Sequence, residues 1–385
     1  MKIAIIGGGP AGLYAALLIR SRCTDAQVTV FEQNRADQTY GWGVVFSGRA
    51  LSFLEEASPD LYQQLRARLE TWNELHIVHR DVTVPIDGSA FSAIARIDLL
   101  RHLQRAASAA GVNLVFDHRA EPDKLAAEFD LLIGADGVGS TLRSQSDAAG
   151  ASGFKSRVEL CTNRYIWYGT TRVFDALSLI FARNEHGAFV AHTYRYSPSM
   201  STFIVECDAA TFARAQLGEM TAADSQGHCA EVFATALAGH ELQSNQSRWL
   251  QFPLINCEQW TQGNTVLLGD ACRTVHFSIG SGTRSAMEDA IALVASLDTH
   301  RSDLGTALEH YERTRRASAS RIDSLAQRSL EWYEQFATKL DQTPIQLAMD
   351  YMRRGARLDV ERLRAHAPNF IAAYQRECAE LAARS

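Results

Sequence analysis

The chain has 385 residues, of which 46% are hydrophobic and 21% are charged, and its formal net charge is −6. This length allows two domains with a substantial core, and the mild acidity argues against nucleic acid or an anionic membrane as a partner. Seven scattered cysteines without a C-x-x-C pair predict neither a disulfide framework nor a metal site, which fits a reducing cytoplasm. No stretch has the length and apolar character of a membrane span.

The N-terminal part of the chain alternates between short apolar strands and helices. Strands are predicted at 2–6, 27–32, 112–116 and 130–133, and helices at 11–21 and 98–110. This alternation predicts a parallel sheet covered by helices.

The middle and the end of the chain follow different patterns. From Arg164 to Cys207, strand-like segments are separated by turn residues without an intervening helix, which predicts an antiparallel meander. The α/β pattern returns after Thr265, and the pattern is helical from Ala307 onward. We therefore predict an α/β fold in which a Rossmann-like domain is interrupted by an antiparallel β-sheet substrate domain and followed by a helical C-terminal tail. The predicted boundaries are 1–75, 92–155 and 260–300 for the Rossmann-like domain, 76–91 and 156–259 for the β-rich domain, and 301–385 for the tail.

A dinucleotide fingerprint opens the chain. Gly7-x-Gly9-x-x-Gly12 follows the first predicted strand and begins a helix, and Pro10 and Ala11 lie within the motif. The glycines allow a tight turn, the approach of a pyrophosphate and close helix–strand contact, while the helix N-terminus faces the phosphates. Glu32, twenty residues beyond Gly12, can accept hydrogen bonds from a ribose. The pattern predicts binding of a dinucleotide without choosing between NAD and FAD.

Two later segments resemble signatures of a known family. "DLLIGADGVGSTLR" (130–143) and "GNTVLLGDACRTVHFSIGSG" (263–282) are similar to the second and third signatures of the single-component flavin monooxygenases. These are aromatic hydroxylases with a para-hydroxybenzoate-hydroxylase-like fold. The resemblance covers residues 1 to about 300, and the three motifs occur in the expected order.

The resemblance implies a noncovalent FAD, with NADH or NADPH as a transient electron donor and O2 as the oxidant. It implies that Asp270 binds the ribityl or phosphate side of FAD, that Asp136 supports FAD and the nicotinamide, and that Arg96 meets the flavin. A second glycine-opened helix at Gly280 and Gly282 can direct its positive end toward the pyrimidine edge of the flavin. The predicted cofactor-binding residues are Gly7, Gly9, Pro10, Ala11, Gly12, Glu32, Arg96, Asp136, Asp270, Gly280 and Gly282, and no metal ligand is predicted.

Details of the third signature favour a narrower branch. Many family members have a proline one residue after the position of His276, where this chain has Phe277. "HFSIGSGT" and "GWGVVFSG" (41–48) resemble the branch that hydroxylates salicylyl-CoA and 2-aminobenzoyl-CoA. "NRYIWYGTT" and "SMSTFIVECDAATFARAQLGEM" are instead similar to the violacein-pathway type, which acts on an indole-derived intermediate. The first resemblance implies that the substrate is an aromatic small molecule, a CoA thioester that is hydroxylated para to its hydroxyl or amino group. A substrate derived from indole stays open as the alternative.

Oxygen transfer to such a ring requires a dry, aromatic-walled site and a group that handles protons. Strand aromatics can supply the wall, although alternating aromatics are as compatible with an ordinary core; they are Tyr165, Trp167, Tyr168, Phe189, Tyr194 and Tyr196. His276, His192 and Tyr194 are the predicted catalytic residues, because a base that removes a ring-hydroxyl proton raises the electron density of the ring. Arg49, Arg66 and Arg68 are candidates for CoA phosphates or for a solvated surface.

Three other classes of protein explain the sequence less well. A flavin-dependent halogenase would share the fold, but the chain has no W-x-W-x-I-P segment. A dehydrogenase would leave the 270–282 segment unexplained, and a binding module would leave three ordered signatures unexplained. An oligomeric state is not predicted.

Overall fold

The computed structural model describes residues 1–47, 52–150, 153–355 and 360–384. The first part of the chain contains β1 (Lys2–Ile6), α1 (Pro10–Arg22), β2 (Gln27–Phe31), β3 (Gly43–Ser47), α2 (Ser52–Ala57), α3 (Pro59–Arg66), β4 (Glu70–Trp72), β5 (Leu75–His79), β6 (Val82–Ile86), β7 (Phe91–Ala95), α4 (Arg96–Ala109), β8 (Asn113–Val115), α5 (Pro122–Glu128), β9 (Leu131–Gly134) and α6 (Thr141–Ala148). The middle contains β10 (Ser156–Leu160), β11 (Arg164–Thr170), β12 (Leu177–Asn184), β13 (Gly187–Ser197), β14 (Met200–Cys207), α7 (Ala209–Arg214), α8 (Ala222–Val232), α9 (Ala234–Leu237), β15 (Leu242–Ser244), β16 (Pro253–Cys257), β17 (Thr261–Gln262) and β18 (Thr265–Leu267). The remainder is helical, with α10 (Gly282–Thr299), α11 (Leu304–Tyr333), α12 (Pro344–Arg353), α13 (Val360–His366) and α14 (Pro368–Arg384).

A six-stranded sheet carries the dinucleotide fingerprint. Its order is β17-β18-β9-β1-β2-β8, and every neighbouring pair is parallel except β17–β18. The central strand β1 is apolar and buried from Ile3 onward, because parallel strands are covered on both faces. Helices α1, α4 and α10 contribute apolar side chains to the core around this sheet. The fold class predicted from the sequence is confirmed.

A seven-stranded sheet holds the predicted meander, with one difference in pairing. Its order is β15-β11-β14-β13-β12-β5-β6. The strands β12, β13 and β14 form the meander, but β11 pairs with β14 instead of β12. Strand β12 pairs in parallel with β5, whose hairpin partner β6 forms the edge. Alternating apolar residues identify strands and their faces but do not encode which distant strand lies beside them, so this pairing was not predicted.

The C-terminal helices pack on one face of the seven-stranded sheet. Helix α12 begins with a capping box formed by Thr343 and Gln346. Side chains of α11, α12 and α14 form a buried cluster with β5, β6 and β12; it includes Ile77, Ile86, Leu179, Trp332, Leu347 and Phe370. The helical tail is therefore part of the core. The domain boundaries given above stay a prediction.

Among the helices of the described residues, none combines the length and the apolar character that a bilayer span requires. Within the same residues, no group of three or more His, Cys, Asp or Glu side chains is arranged to hold a metal ion.

Candidate active site

The fingerprint loop between β1 and α1 leaves open space at one glycine and none at the other two. Gly7 has φ +109°, and a Cβ built there would lie 2.3 Å from the carbonyl oxygen of Ala135. A Cβ at Gly12 would lie 2.1 Å from the carbonyl oxygen of Gly7, whereas a Cβ at Gly9 would meet no atom within 4 Å. Gly7 and Gly12 thus permit the tight turn, and the open side of Gly9 fits the approach of a pyrophosphate to the N-terminus of α1.

Glu32 directly follows β2 and lies beside the fingerprint loop. One carboxylate oxygen accepts a hydrogen bond from the backbone N–H of Gly8 at 2.7 Å. The other accepts from the backbone and side chain of Asn34 at 2.8 Å and 2.7 Å. These bonds hold the half-buried carboxylate at the mouth of the loop, where the remaining lone pairs of its oxygens can meet a ribose.

The second signature is tied to the third by an arginine. Arg143 is buried and donates to the carbonyl oxygens of Ala271 and Val138, each at 2.7 Å. Asp136 accepts from the backbone N–H of Thr141 through Oδ2 at 2.8 Å, and within the described residues its buried Oδ1 has no partner. Burial raises the pKa of Asp136 against the opposing effect of its hydrogen bonds. The unpaired oxygen leaves this carboxyl able to accept a further hydrogen bond.

The third signature is fixed by α10. The backbone N–H of Gly269, where φ is +57°, donates to Asp289 Oδ2 at 3.0 Å. Asp289 Oδ1 also pairs with Arg273 at 3.2 Å and with Arg315 of α11 at 2.6 Å. These groups are buried, so the turn that presents Asp270 is anchored to two helices by charge-assisted hydrogen bonds.

Asp270 lines an open cavity, and its side chain is exposed within that cavity. Loss of hydration raises its pKa to about 6; the Arg96 cation opposes the shift and the Asp289 charge adds to it. Arg96 begins α4, donates to Thr39 at 3.2 Å and lines the same cavity. Burial lowers the pKa of Arg96, partly offset by Asp270. The two residues form an electrostatic pair at the base of the cavity.

The cavity has a volume of about 480 Å³ and joins the first and third signatures. At one end it is lined by predicted cofactor residues: Gly9, Pro10, Ala11, Arg96, Asp270, Gly280 and Gly282. Gly280 has φ +60°, and Gly282 is the first residue of α10. Gly7, Gly12, Glu32 and Asp136 lie outside this lining. An elongated cofactor fits this arrangement, because α1 and α10 both direct their N-termini to one connected space.

The other end of the cavity is mainly apolar. Of the six predicted aromatic wall residues, Tyr165, Trp167 and Tyr194 line it. Tyr168 and Phe189 point to the opposite face of the sheet, because strand neighbours alternate, and belong to a separate core cluster. Tyr196 packs in another cluster with Trp72 and Tyr194. Burial raises the pKa of Tyr165 to about 12, so its hydroxyl stays protonated.

The three predicted catalytic residues occupy different positions. His192 and Tyr194 line the cavity, and the Tyr194 hydroxyl donates to the carbonyl oxygen of Gly43 at 2.9 Å. His276 does not line it: Nδ1 lies 2.8 Å from the Ser278 hydroxyl, and Phe277 takes the cavity-facing position. Burial lowers the pKa of His276 to about 4, with Glu206 opposing and His192 adding to the shift. His276 is thus a neutral, packed histidine beside a different groove.

Several groups that line the cavity or contact its lining were missed by the sequence reasoning. Glu206, almost fully buried on β14, pairs with His192 Nε2 at 3.0 Å and accepts from the Asn163 side chain at 2.8 Å. The tail contributes Tyr351 and Arg354, whose guanidinium lies 3.6 Å from the centre of the Tyr351 ring. An acid inside the apolar segment "FIVEC" was a usable signal for Glu206, whereas no local pattern indicated the tail residues.

Two of the three candidate arginines for a CoA substrate, Arg66 and Arg68, do not lie in the cavity lining. Arg66 ends α3, and both Arg66 and Arg68 are exposed to solvent. Arg49 falls outside the described residues.

Comparison with known proteins assigns the chain to a family. The FAD binding domain family matches residues 1–326. The chain belongs to this family. FAD is its cofactor, and the cavity geometry described above fits that cofactor.

Relatives place the flavoprotein among monooxygenases. It is 37% identical to salicyloyl-CoA 5-hydroxylase of a Streptomyces species, over 92% of this chain and 70% of that protein. It is 34% identical to 3-hydroxy-4-methyl-anthranilyl-[aryl-carrier protein] 5-monooxygenase of Streptosporangium sibiricum, over 91% of this chain and 93% of that protein. It is also 34% identical to protodeoxyviolaceinate monooxygenase of Chromobacterium violaceum, over 87% of this chain and 89% of that protein. The chain is therefore an FAD-dependent aromatic monooxygenase.

A solved structure shows the same fold. The monooxygenase superposes on PqsL of P. aeruginosa, crystallised with 2-aminobenzoylacetate, with a TM-score of 0.69 and 19% identity, covering 89% of this chain and all of that chain.

Proposed function

We propose that this monooxygenase uses NAD(P)H and O2 to hydroxylate a 2-hydroxy- or 2-aminobenzoyl thioester, para to the ring donor. The observation that carries the proposal is the single cavity in which the cofactor-signature residues meet an apolar, aromatic end containing His192. Two relatives named for CoA or carrier-protein thioesters of such rings support this substrate class. The "GWGVVFSG" and "HFSIGSGT" segments support it as well.

At the cofactor end, the protein binds and orients. Gly9 and the N-terminus of α1 are proposed to hold the pyrophosphate, Glu32 the ribose, and Asp270 with Arg96 the ribityl–flavin part. The N-terminus of α10 at Gly282 stabilises negative charge on the reduced ring. When bound, FAD accepts electrons from NAD(P)H and delivers one oxygen atom of O2 to the substrate.

At the substrate end, side chains position the ring and exclude water. Tyr165, Trp167 and Phe277 form an aromatic boundary that limits water access. Water in the site would allow the oxygen to be released as hydrogen peroxide instead of being transferred to the ring. The donor group activates the para carbon, while the thioester withdraws electrons and acts as a handle. Binding energy from the remote handle can then orient the ring.

The test compares coupled turnover across substrate classes. Salicyloyl-CoA, 2-aminobenzoyl-CoA, their free acids, and tryptophan or an indole derivative are each incubated with enzyme and NAD(P)H. Product and peroxide are measured per NAD(P)H oxidised. Thioesters are expected to give coupled hydroxylation, and free acids slow or peroxide-forming turnover. If an indole is hydroxylated and neither thioester is, the proposal is overturned in favour of the indole-derived substrate that the similarity to protodeoxyviolaceinate monooxygenase suggests.

A further inference from the structure

A buried acid pairs with a cavity-lining histidine on the adjacent strand. Glu206 on β14 is 1% exposed, and its Oε2 lies 3.0 Å from His192 Nε2 on β13. Its Oε1 accepts from the Asn163 amide at 2.8 Å, and the same amide donates to the carbonyl oxygen of Tyr333 at 2.9 Å. The histidine ring is packed against Tyr333 and Phe277, with ring centres 4.9 Å and 5.4 Å away.

These contacts set the tautomer of His192. Burial raises the pKa of Glu206, but the hydrogen bonds that it accepts from His192 and Asn163 act in the opposite direction, and the net pKa of Glu206 is lowered. An ionised carboxylate only accepts hydrogen bonds, so Nε2 carries the proton of the neutral ring and Nδ1 has a free lone pair. Among the described residues, the hydrogen bond of the His192 ring is the one that Nε2 makes with Glu206, and His192 lines the cavity.

Such a pair is costly to keep in a protein interior. Burying a carboxylate and a histidine requires several kcal/mol of desolvation per ion, and apolar residues of similar size often stabilise a core as well or better. Strands β13 and β14 are otherwise rich in apolar residues at buried positions. The presence of the pair beside the reaction cavity therefore points to chemistry more than to stability.

We propose that Glu206 and His192 form a base that selects rings bearing a hydroxyl group over rings bearing an amino group. This inference rests on the proposed function. His192 is the catalytic residue, Glu206 is a positioning residue, and the preferred substrate is a 2-hydroxybenzoyl thioester. A phenolic hydroxyl, with a pKa near 10 as in tyrosine, can give its proton to an imidazole supported by a carboxylate. An aromatic amine is far too weak an acid to do so, and it activates the ring with its own lone pair.

The proton transfer balances within the site. The ring O–H bond breaks, its proton forms an N–H bond at His192 Nδ1, and the electron pair stays on the ring oxygen. Glu206 stabilises the imidazolium. When the hydroxylated ring regains aromaticity, its ring C–H bond breaks, that proton leaves to solvent and the electron pair returns to the ring. The imidazolium then gives its proton to the ring oxygen, and His192 is again neutral.

The experiment assays each enzyme variant with each of two substrates. Wild type, Glu206→Gln and His192→Gln are assayed as holoenzymes with salicyloyl-CoA and with 2-aminobenzoyl-CoA, for kcat, KM and product per NAD(P)H. Each variant is expected to lower kcat for the hydroxyl substrate by roughly 10²-fold, the low end for a lost general base. Its KM should change by less than about threefold, and the amino substrate should lose less than about fivefold in kcat.

A matched control separates chemistry from structure. Glu334 is a carboxylate that accepts from the backbone N–H groups of Thr162 and Asn163 without lining the cavity. Glu334→Gln should leave the ratio of hydroxyl to amino turnover unchanged. A second readout is the absorbance of bound salicyloyl-CoA without NAD(P)H, where phenolate should form in wild type and not in His192→Gln.

Two failures are distinguishable. If both thioesters are hydroxylated but Glu206→Gln and His192→Gln lower their turnover equally, the pair is structural and the inference is overturned. If wild type hydroxylates neither thioester while an indole is converted, the proposed function itself fails, and the inference fails with it.

Discussion

Asp270 is held in a position that favours function over stability. Its side chain lines the cavity, where reduced hydration raises its pKa to about 6 and the Arg96 cation opposes that shift. Ionising the group therefore costs folding free energy near neutral pH. We interpret this cost as the consequence of placing a hydrogen-bond acceptor where the cofactor binds.

Asp270→Asn should reveal this cost as a pH-dependent difference in stability. Between the unfolded pKa of about 4 and the native pKa of about 6, the native state holds more protons, so ionisation of Asp270 lowers stability as pH rises. Asparagine does not titrate. The melting temperature of the flavin-free variant minus that of wild type should increase from about pH 4.5 to about pH 7.5. A difference that stays constant with pH would contradict this, and FAD affinity of the variant should fall in parallel.

The sequence identified some site residues and not others for a physical reason. Gly9, Glu32 and Asp270 follow strands in recognisable local patterns, and backbone geometry fixes where such residues lie. The orientation of His276 depends on which side of a 3-10 turn (Phe277–Ile279) the ring packs, and Phe277 takes the cavity side. Glu206 gains its role only because β13 lies beside β14 with His192 opposite Ile204.

Substitutions at Gly9 and Gly12 of the fingerprint can separate an effect on packing from an effect on FAD binding. Gly9→Ala places a methyl group in open space, so the free energy of unfolding of the apoprotein should change by less than about 1 kcal/mol. The same methyl group blocks the approach of a pyrophosphate, so FAD affinity should fall at least about tenfold, which is about 1.4 kcal/mol.

Gly12→Ala is the matched comparison for this prediction. Its methyl group would meet the backbone oxygen of Gly7 at 2.1 Å, so the apoprotein itself should be destabilised by about 1–3 kcal/mol from overpacking. Urea unfolding of both apoproteins and fluorescence titration with FAD provide the measurements. Equal destabilisation by the two variants would show that Gly9 is also a packing residue.

Helix α10 is joined to the third signature through Asp289. Asp289→Asn would leave the buried guanidinium groups of Arg273 and Arg315 without their shared carboxylate, which costs about 3–5 kcal/mol. Chemical denaturation should show this loss, together with weaker FAD retention. Asp298 on the same helix pairs with Arg301 at the surface, so Asp298→Asn should cost less than about 1 kcal/mol. Similar losses for the two variants would rule out Asp289 as an anchor.

The tail completes the cavity from outside the segment matched by the family. Helix α14 packs against α12 and β6, and α12 presents Tyr351 at the cavity. Phe370 of α14 is buried in the cluster that holds these elements together. Packing therefore joins the tail to the cavity lining.

Phe370→Ala should therefore affect both stability and coupling. The lost aromatic volume is expected to cost about 3–5 kcal/mol. Because α12 should then pack less tightly, water should enter the cavity, and the amount of peroxide formed per NAD(P)H oxidised should increase. Asn369→Ala, one residue earlier and exposed, is the control and should change neither quantity. If the variant is destabilised but forms no more peroxide, the packing of the tail does not control water access to the cavity.

Sequence patterns predicted the element types of the segments with clear apolar periodicity, but not the long-range pairings of the chain. The helix predicted at 98–110 begins at Arg96, and the strand predicted at 112–116 spans Asn113–Val115. The parallel contact of β5 with β12, and the packing of the tail on those strands, join segments about a hundred residues or more apart. Single-segment periodicity carries no information on such contacts.

The strand order also determines when the chain can fold during synthesis. Strand β9 cannot complete its pairing until β18 has been synthesised, because Leu132 pairs with Thr265. Strand β5 likewise cannot pair with β12 until β12 has been synthesised. Until those segments leave the ribosome, apolar strands of both sheets have unpaired edges that can bind other chains. Non-local pairings of this kind also slow folding. A nascent chain or fragment that ends before Val266 therefore exposes an incomplete sheet, which favours aggregation.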